Sequence, residues 1–196
     1  MAGNDRYPPK PDLADRPEIV IDQSLAPEPF LEMLRVIPTG DIANPYELRT
    51  IELAEQGKIG KTYSNALILA RSGLWSPALK IWQKADEKLS IPVREQHAYI
   101  RYHAQLTAKQ AAQEIADTGE RVRNLLIDGQ FAPALELAIR NEDNARSVIN
   151  LLQKNDKPFW NRMNASLQVN NDAKAYPWGA LMVMVRHGLP KRANGW

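Results

Sequence analysis

The sequence contains no cysteine, which excludes disulfides, thiolate ligands and cysteine nucleophiles. Histidine is almost as scarce. His97 and His103 lie on different faces of one expected helix, His187 is remote, and none has a carboxylate three or four residues away. That pattern predicts no metal and no other cofactor. No Gly-x-Ser-x-Gly nucleophile motif is present. An excess of one charge sign is missing too: the net charge is +2, too small to pull the chain onto nucleic acid or a membrane surface. The longest apolar run, Ala180–Val185, falls far short of the roughly 20 residues of a membrane span. The first residues, Met-Ala-Gly-Asn-Asp-Arg, have no apolar stretch, so no signal peptide is expected and the chain reads as soluble and cytoplasmic.

Two local patterns resemble sites and are set aside on spacing. Gly57-Lys-Ile-Gly-Lys-Thr62 looks like a phosphate-binding loop, but that loop needs glycine at position 55, where Glu55 stands. Tyr99, Arg101 and Tyr102 have the chemistry to stack on bases but lack a wider basic face, so they read as helix packing. The cluster Arg186–Arg192 reads as a solvated end. The sequence thus points to no catalysis, no small-molecule substrate and no nucleic acid.

What is present is helical. Thr62–Arg71 places Ala66, Leu69 and Ala70 at helical spacing, and Gly73 suits the left-handed residue after a helix end. Ser76 is expected to cap the next helix, with Pro77 at its first position. Ala78, Ile81, Trp82, Ala85 and Leu89 then form one apolar stripe. The turn recurs. Gly129-Gln-Phe-Ala-Pro-Ala-Leu aligns with Gly73-Leu-Trp-Ser-Pro-Ala-Leu at an offset of 56 residues, pairing Gly129, Phe131, Pro133 and Ala134 with Gly73, Trp75, Pro77 and Ala78.

These residues resemble a tetratricopeptide repeat, a helix pair of about 34 residues. Residues 59–92 fit in phase: Ala66 is the small residue of the first helix, Gly73 the turn, Trp75 the aromatic, and Ala78, Trp82 and Ala85 the second helix. The Trp and Leu-Gly signature of the first helix is absent. An offset of 56, neither one repeat nor two, predicts an extra helix between the turns and an irregular stack.

Further helices are expected over 44–56, 90–105, 107–128, 132–140, 142–154, 156–168 and 177–187. The cues are Asn44-Pro45 and Thr107 as starts, Gly57 and Gly188 as stops, and a last helix apolar almost all round that should be largely buried. The expected fold is an all-α, irregular, tetratricopeptide-like solenoid of about nine helices over residues 44–196. Residues 1–43 precede it as an extended arm, since eight of the 14 prolines lie in the first 45 residues. Within the arm, Glu18–Asp22 suits a short strand and Pro29–Val36 a short helix. Phe30, Leu31 and Leu34 are the expected anchors on the helical body or on a partner.

The function expected is that of a non-catalytic protein–protein interaction module, a scaffold, assembly factor or accessory protein. In the repeat family, first-helix side chains line a peptide groove. The resemblance implies Tyr63, Leu67 and Arg71 for that role, and the first two favour an apolar peptide or partner helix. A permanently bound structural subunit of a large, possibly membrane-associated complex is the alternative. An α-helical enzyme with an unrecognised site is the second.

Overall fold

A computed structural model describes residues 18–24, 28–55, 60–83, 90–154, 156–169, 173 and 175–187. Residues 84–89 with Ala85 and Leu89, the Tyr7–Pro11 segment, Gly57–Ile59 and the basic cluster beyond His187 lie outside the described residues. The chain is predominantly helical. Among the described residues it forms α1 (Lys61–Arg71), α2 (Trp75–Trp82), α3 (Ile91–Ala111), α4 (Thr118–Ile127), α5 (Phe131–Ala138), α6 (Glu142–Lys154), α7 (Asp156–Gln168) and α8 (Ala175–His187).

Ahead of the helices stands a sheet that the sequence reading did not contain beyond its first strand. β1 (Glu18–Asp22), β2 (Leu31–Pro38) and β3 (Tyr46–Thr50) form an antiparallel meander in the order β1-β2-β3. Val20 lies opposite Met33, and Val36 opposite Leu48. Two expected helices are corrected here. Pro29–Val36 is largely β2, because Leu31, Met33 and Arg35 alternate onto one face and Val36-Ile37 favours extended backbone. Where a helix over 44–56 is expected, the described residues through Glu55 hold β3 and an extended stretch. Asn44-Pro45 closes a hairpin loop instead of opening a helix: Thr39 N–H donates to Pro45 O at 3.1 Å and the Thr39 hydroxyl to Asn44 O. Pairing along β2 outweighs the local capping signal. β2 and β3 pair across the expected 43/44 boundary.

The helix reading is corrected at a third place. Thr107 does not open a helix. It is buried within α3, and its hydroxyl lies 3.2 Å from Ala104 O and 2.7 Å from Asp128 Oδ1. The cap belongs to Asp117, whose carboxylate accepts from Glu120 N–H at 2.7 Å and opens α4. Ser76 likewise does not cap. α2 starts at Trp75, and the Ser76 hydroxyl is turned to Asp128.

The two aligned turns share one backbone motif. Gly73 and Gly129 have φ of 84° and 77°. Leu74 N–H reaches Leu69 O, and Gln130 N–H reaches Leu125 O, at 2.9 and 2.8 Å. Gly73 and Gly129 N–H reach Ala70 O and Leu126 O. Both are left-handed closures that satisfy the last carbonyls of α1 and α4. Ala66, Ala78 and Ala134 are wholly buried at the hairpin contacts, and Trp75, Pro77, Trp82 and Phe131 are buried beside them, whereas Pro133 is exposed. α3 occupies the interval between the hairpins.

α8 is less buried than its composition suggests. It meets α5, α6 and α7 on one side only. Ala175, Trp178 and Met182 face inward, with Trp178 Nε1–H donating to Phe131 O at 2.9 Å, while Tyr176, Val183 and Met184 are exposed.

Candidate partner-binding surface

α3 anchors the inner face of the sheet. Leu31 and Met33 are buried in the core, and Leu31 N–H donates to His103 Nε2 at 2.9 Å. The other ring nitrogen of His103 lies 3.0 Å from Tyr99 O, so Nδ1 carries the proton and donates there. The ring stacks on Trp75 with centroids 4.0 Å apart, and Phe30 approaches it edge-on. Burial pushes the His103 pKa down to about 4, against the smaller opposing influences of the Tyr99 carbonyl and Asp22. This histidine is a neutral structural pin between β2 and α3. About two turns earlier on α3, Arg35 of β2 pairs with buried Glu95. Burial raises the pKa of neighbouring Glu18, opposed by the charges of Arg35 and Arg101.

The stretch after β3 covers α1. Ile51 is buried, and its N–H donates to Met33 O at 2.9 Å. Gln96 Nε2 donates to Glu52 O and Ala54 O at 2.6 and 2.7 Å, while its Oε1 accepts from the Tyr63 hydroxyl. Arg71 Nε donates to Leu53 O at 2.6 Å. The residues expected to line a groove are therefore placed differently. Tyr63 and Leu67 are buried beneath the chain's own residues, and Arg71 alone of the three reaches the surface. Of the expected anchors, Leu31 is buried, Leu34 half-buried on the opposite face, and Phe30 about half exposed against His103.

The opposite face of the sheet is the feature the sequence reading missed. The register places Ile19 and Ile21 of β1, Glu32, Leu34, Val36 and Pro38 of β2, and Tyr46, Leu48 and Thr50 of β3 on one side. Seven of these nine are apolar. Tyr46 is 66% exposed, Leu48 53%, Ile19 41% and Ile21 38%, so no described residue seals this face. Beyond α3, the inner face carries Glu47 and Arg49, paired at 3.1 Å and exposed. Polarity is thus reversed from the usual antiparallel sheet, whose face away from the core is polar. The signal was available as the alternation of Tyr46, Leu48 and Thr50, but Asn44-Pro45-Tyr-Glu47 hid it.

Among the described residues no three side chains of His, Asp or Glu form a metal-ligand group, and no helix is long and apolar enough to cross a membrane. No protein-family model matches the chain, and no match was found among curated proteins or solved structures.

Proposed function

We propose that the chain is a non-catalytic protein–protein interaction module whose outer sheet face seats an amphipathic helix of a partner protein. The observation that carries this reading is the seven-residue apolar surface on that face. Domains bury such faces against a further layer, most simply a helix. A large apolar patch on a soluble chain marks an interaction site.

Charge selects the occupant. Glu32 is the single charged residue on the face. Two copies packed face to face would bring both Glu32 carboxylates into the contact with no base on either surface. A partner helix with Lys or Arg along its margin answers Glu32 and covers the isoleucines and leucines. The two matching hairpins, built on Gly73 and Gly129, support a tetratricopeptide-like ancestry for the body that holds this sheet.

The test uses the full-length chain as bait in its native cell extract, beside a double variant, Ile21→Lys with Leu48→Lys. Both positions are exposed, so the melting temperature should stay within a few degrees. A protein captured by the native chain should be lost from the variant, and a synthetic peptide of its helix should bind the native chain alone. Light scattering showing a dimer that the variant dissolves would replace the partner with a second copy. Unchanged capture by the variant would refute this face as the site.

A permanently bound subunit is the second reading. It is favoured by the further apolar patch of Tyr176, Val183 and Met184 on α8. A chain that is soluble only when co-expressed with its partner would support it, and a stable lone monomer would count against it.

A further inference from the structure

A cleft of about 590 Å³ lies between the last turn of α1 and one face of α7. Lys157, Asn161, Asn164 and Gln168 recur along α7 at helical spacing and line one wall, and Arg71 and Arg162 complete it. Three of the lining side chains are cationic and none is acidic. Glu28 offsets Arg162, which leaves the charges of Arg71 and Lys157 in excess, and a concave surface with an excess of one sign concentrates ions of the other.

The two arginines are held differently. Arg71 is tethered through Nε to Leu53 O, which fixes the plane of its guanidinium and leaves both terminal nitrogens without a described protein partner. Arg162 is buried, and its terminal nitrogens are engaged two-point by the Glu28 carboxylate, while its Nε is buried without a hydrogen-bond partner. The molecule thus already seats one carboxylate on this wall. The Arg71 fork beside it is the same chemistry, oriented and unoccupied by any described side chain. Guanidinium groups match planar oxyanions two-point.

We propose that this cleft binds an oxyanion, a carboxylate or phosphate group, through Arg71 and Lys157, with the Asn161, Asn164 and Gln168 amides as flanking donors. The site is independent of the sheet face: it lies on α1 and α7 and takes a polar ligand.

The experiment titrates the full chain at low ionic strength with inorganic phosphate and, separately, with a hexaglutamate peptide. Amide NMR shifts report where each binds. Saturable shifts at residues 71–72 and 157–168 are expected, with affinity falling at least about tenfold in Arg71→Gln with Lys157→Gln, the loss of charge-assisted bonds. Lys157→Gln alone leaves the Arg71 tether intact and should give part of that loss. Arg121→Gln, an exposed cation on α4, should leave affinity unchanged. Saturation by phosphate identifies a small-anion site, and saturation by the peptide alone identifies an acidic segment of a protein; either supports the proposal. Absence of saturation with both probes, or equal affinity in native chain and double variant, would overturn it.

Discussion

Acidification should unfasten β2 from α3 through His103. The ring is completely buried, and Nε2 accepts the Leu31 N–H. A proton on Nε2 removes that acceptor and places a charge between Trp75 and Tyr99. Burial accordingly depresses the pKa from its ordinary 6.5 to about 4. The folded value lies below the unfolded one. The contribution is therefore complete above about pH 6.5, declines as pH falls toward 4, and is gone below the folded value. A separation of about 2.5 units at roughly 1.4 kcal/mol per unit gives a loss of about 3 kcal/mol. That is a large share of the roughly 5–15 kcal/mol that holds a domain together. Two other groups overlap this window. Burial and Arg101 also lower the pKa of His97, so it acts in the same direction. Glu18 acts oppositely: burial raises its folded pKa, so its contribution is present in acid and is lost as pH rises through that value. The clean measurement is a difference. Urea unfolding at pH 7, 6, 5 and 4 should show the native chain losing about 3 kcal/mol more than His103→Gln, whose side chain cannot titrate. The variant will be less stable at neutral pH, but the slope carries the test. Parallel pH profiles for the two chains would refute the buried neutral imidazole.

Trp82→Ala should cost about 3–5 kcal/mol in denaturant unfolding, because Trp82 is buried edge-to-face with Tyr63 at 4.9 Å and leaves a cavity; an effect within error would place it outside the core. Gly129→Ala should cost more than Gly40→Ala in the same assay. Both glycines have φ of 77°, where a side chain costs roughly 1–2 kcal/mol, but a Cβ on Gly129 would sit 2.5 Å from Pro77 Cγ whereas Gly40 has nothing within 4 Å. Equal costs would mean the two turns are not in tight contact.

The body was legible because its signals are local. Gly73 and Gly129 mark helix ends through a φ that glycine adopts freely, and the alanine and aromatic spacing beside them follows helical period. α5, α6 and α7 lie close to their expected bounds for the same reason, whereas the helix expected over 107–128 is divided between the end of α3 and α4. The sheet was not legible because its determinants are distant in sequence. β2 is held by His103, 72 residues away, and by Glu95, and neither residue carries a local mark of that role. A strong local signal failed at Asn44-Pro45, where strand pairing took the residues a helix cap would use. The same holds for the surface. Tyr63 and Leu67 share a helix face, as their spacing requires, but the stretch from Ile51 to Ala54 lies over that face. Helical period says which residues share a face and nothing about what covers it.

The offset of 56 residues between the turns has a structural consequence that a regular repeat would lack. The turns are in direct contact, with Gly129 against Pro77 and Leu74. They are also joined chemically. Asp128, the residue before the second glycine, accepts from Ser76 of the first turn, from Thr107 of α3 at 2.7 Å and from Gln130 at 2.8 Å. One buried carboxylate thus fastens both hairpins to α3. The corresponding positions cannot repeat the arrangement, because Ser72 precedes the first glycine and Ala132 stands where Ser76 would recur. α3 is consequently fixed at its C-terminal half by the hairpins. Its earlier turns present Glu95, Tyr99 and His103 to the sheet. The helix that breaks the regular spacing is the one that holds the sheet, and it holds it by the inner face alone, leaving Ile19, Ile21, Tyr46 and Leu48 turned outward. A mutation that loosens α3 from the turns, such as loss of the Asp128 carboxylate, therefore acts on the outer face indirectly, through the rigidity of its support. Substitution at Leu48 acts on that face directly and leaves α3 untouched.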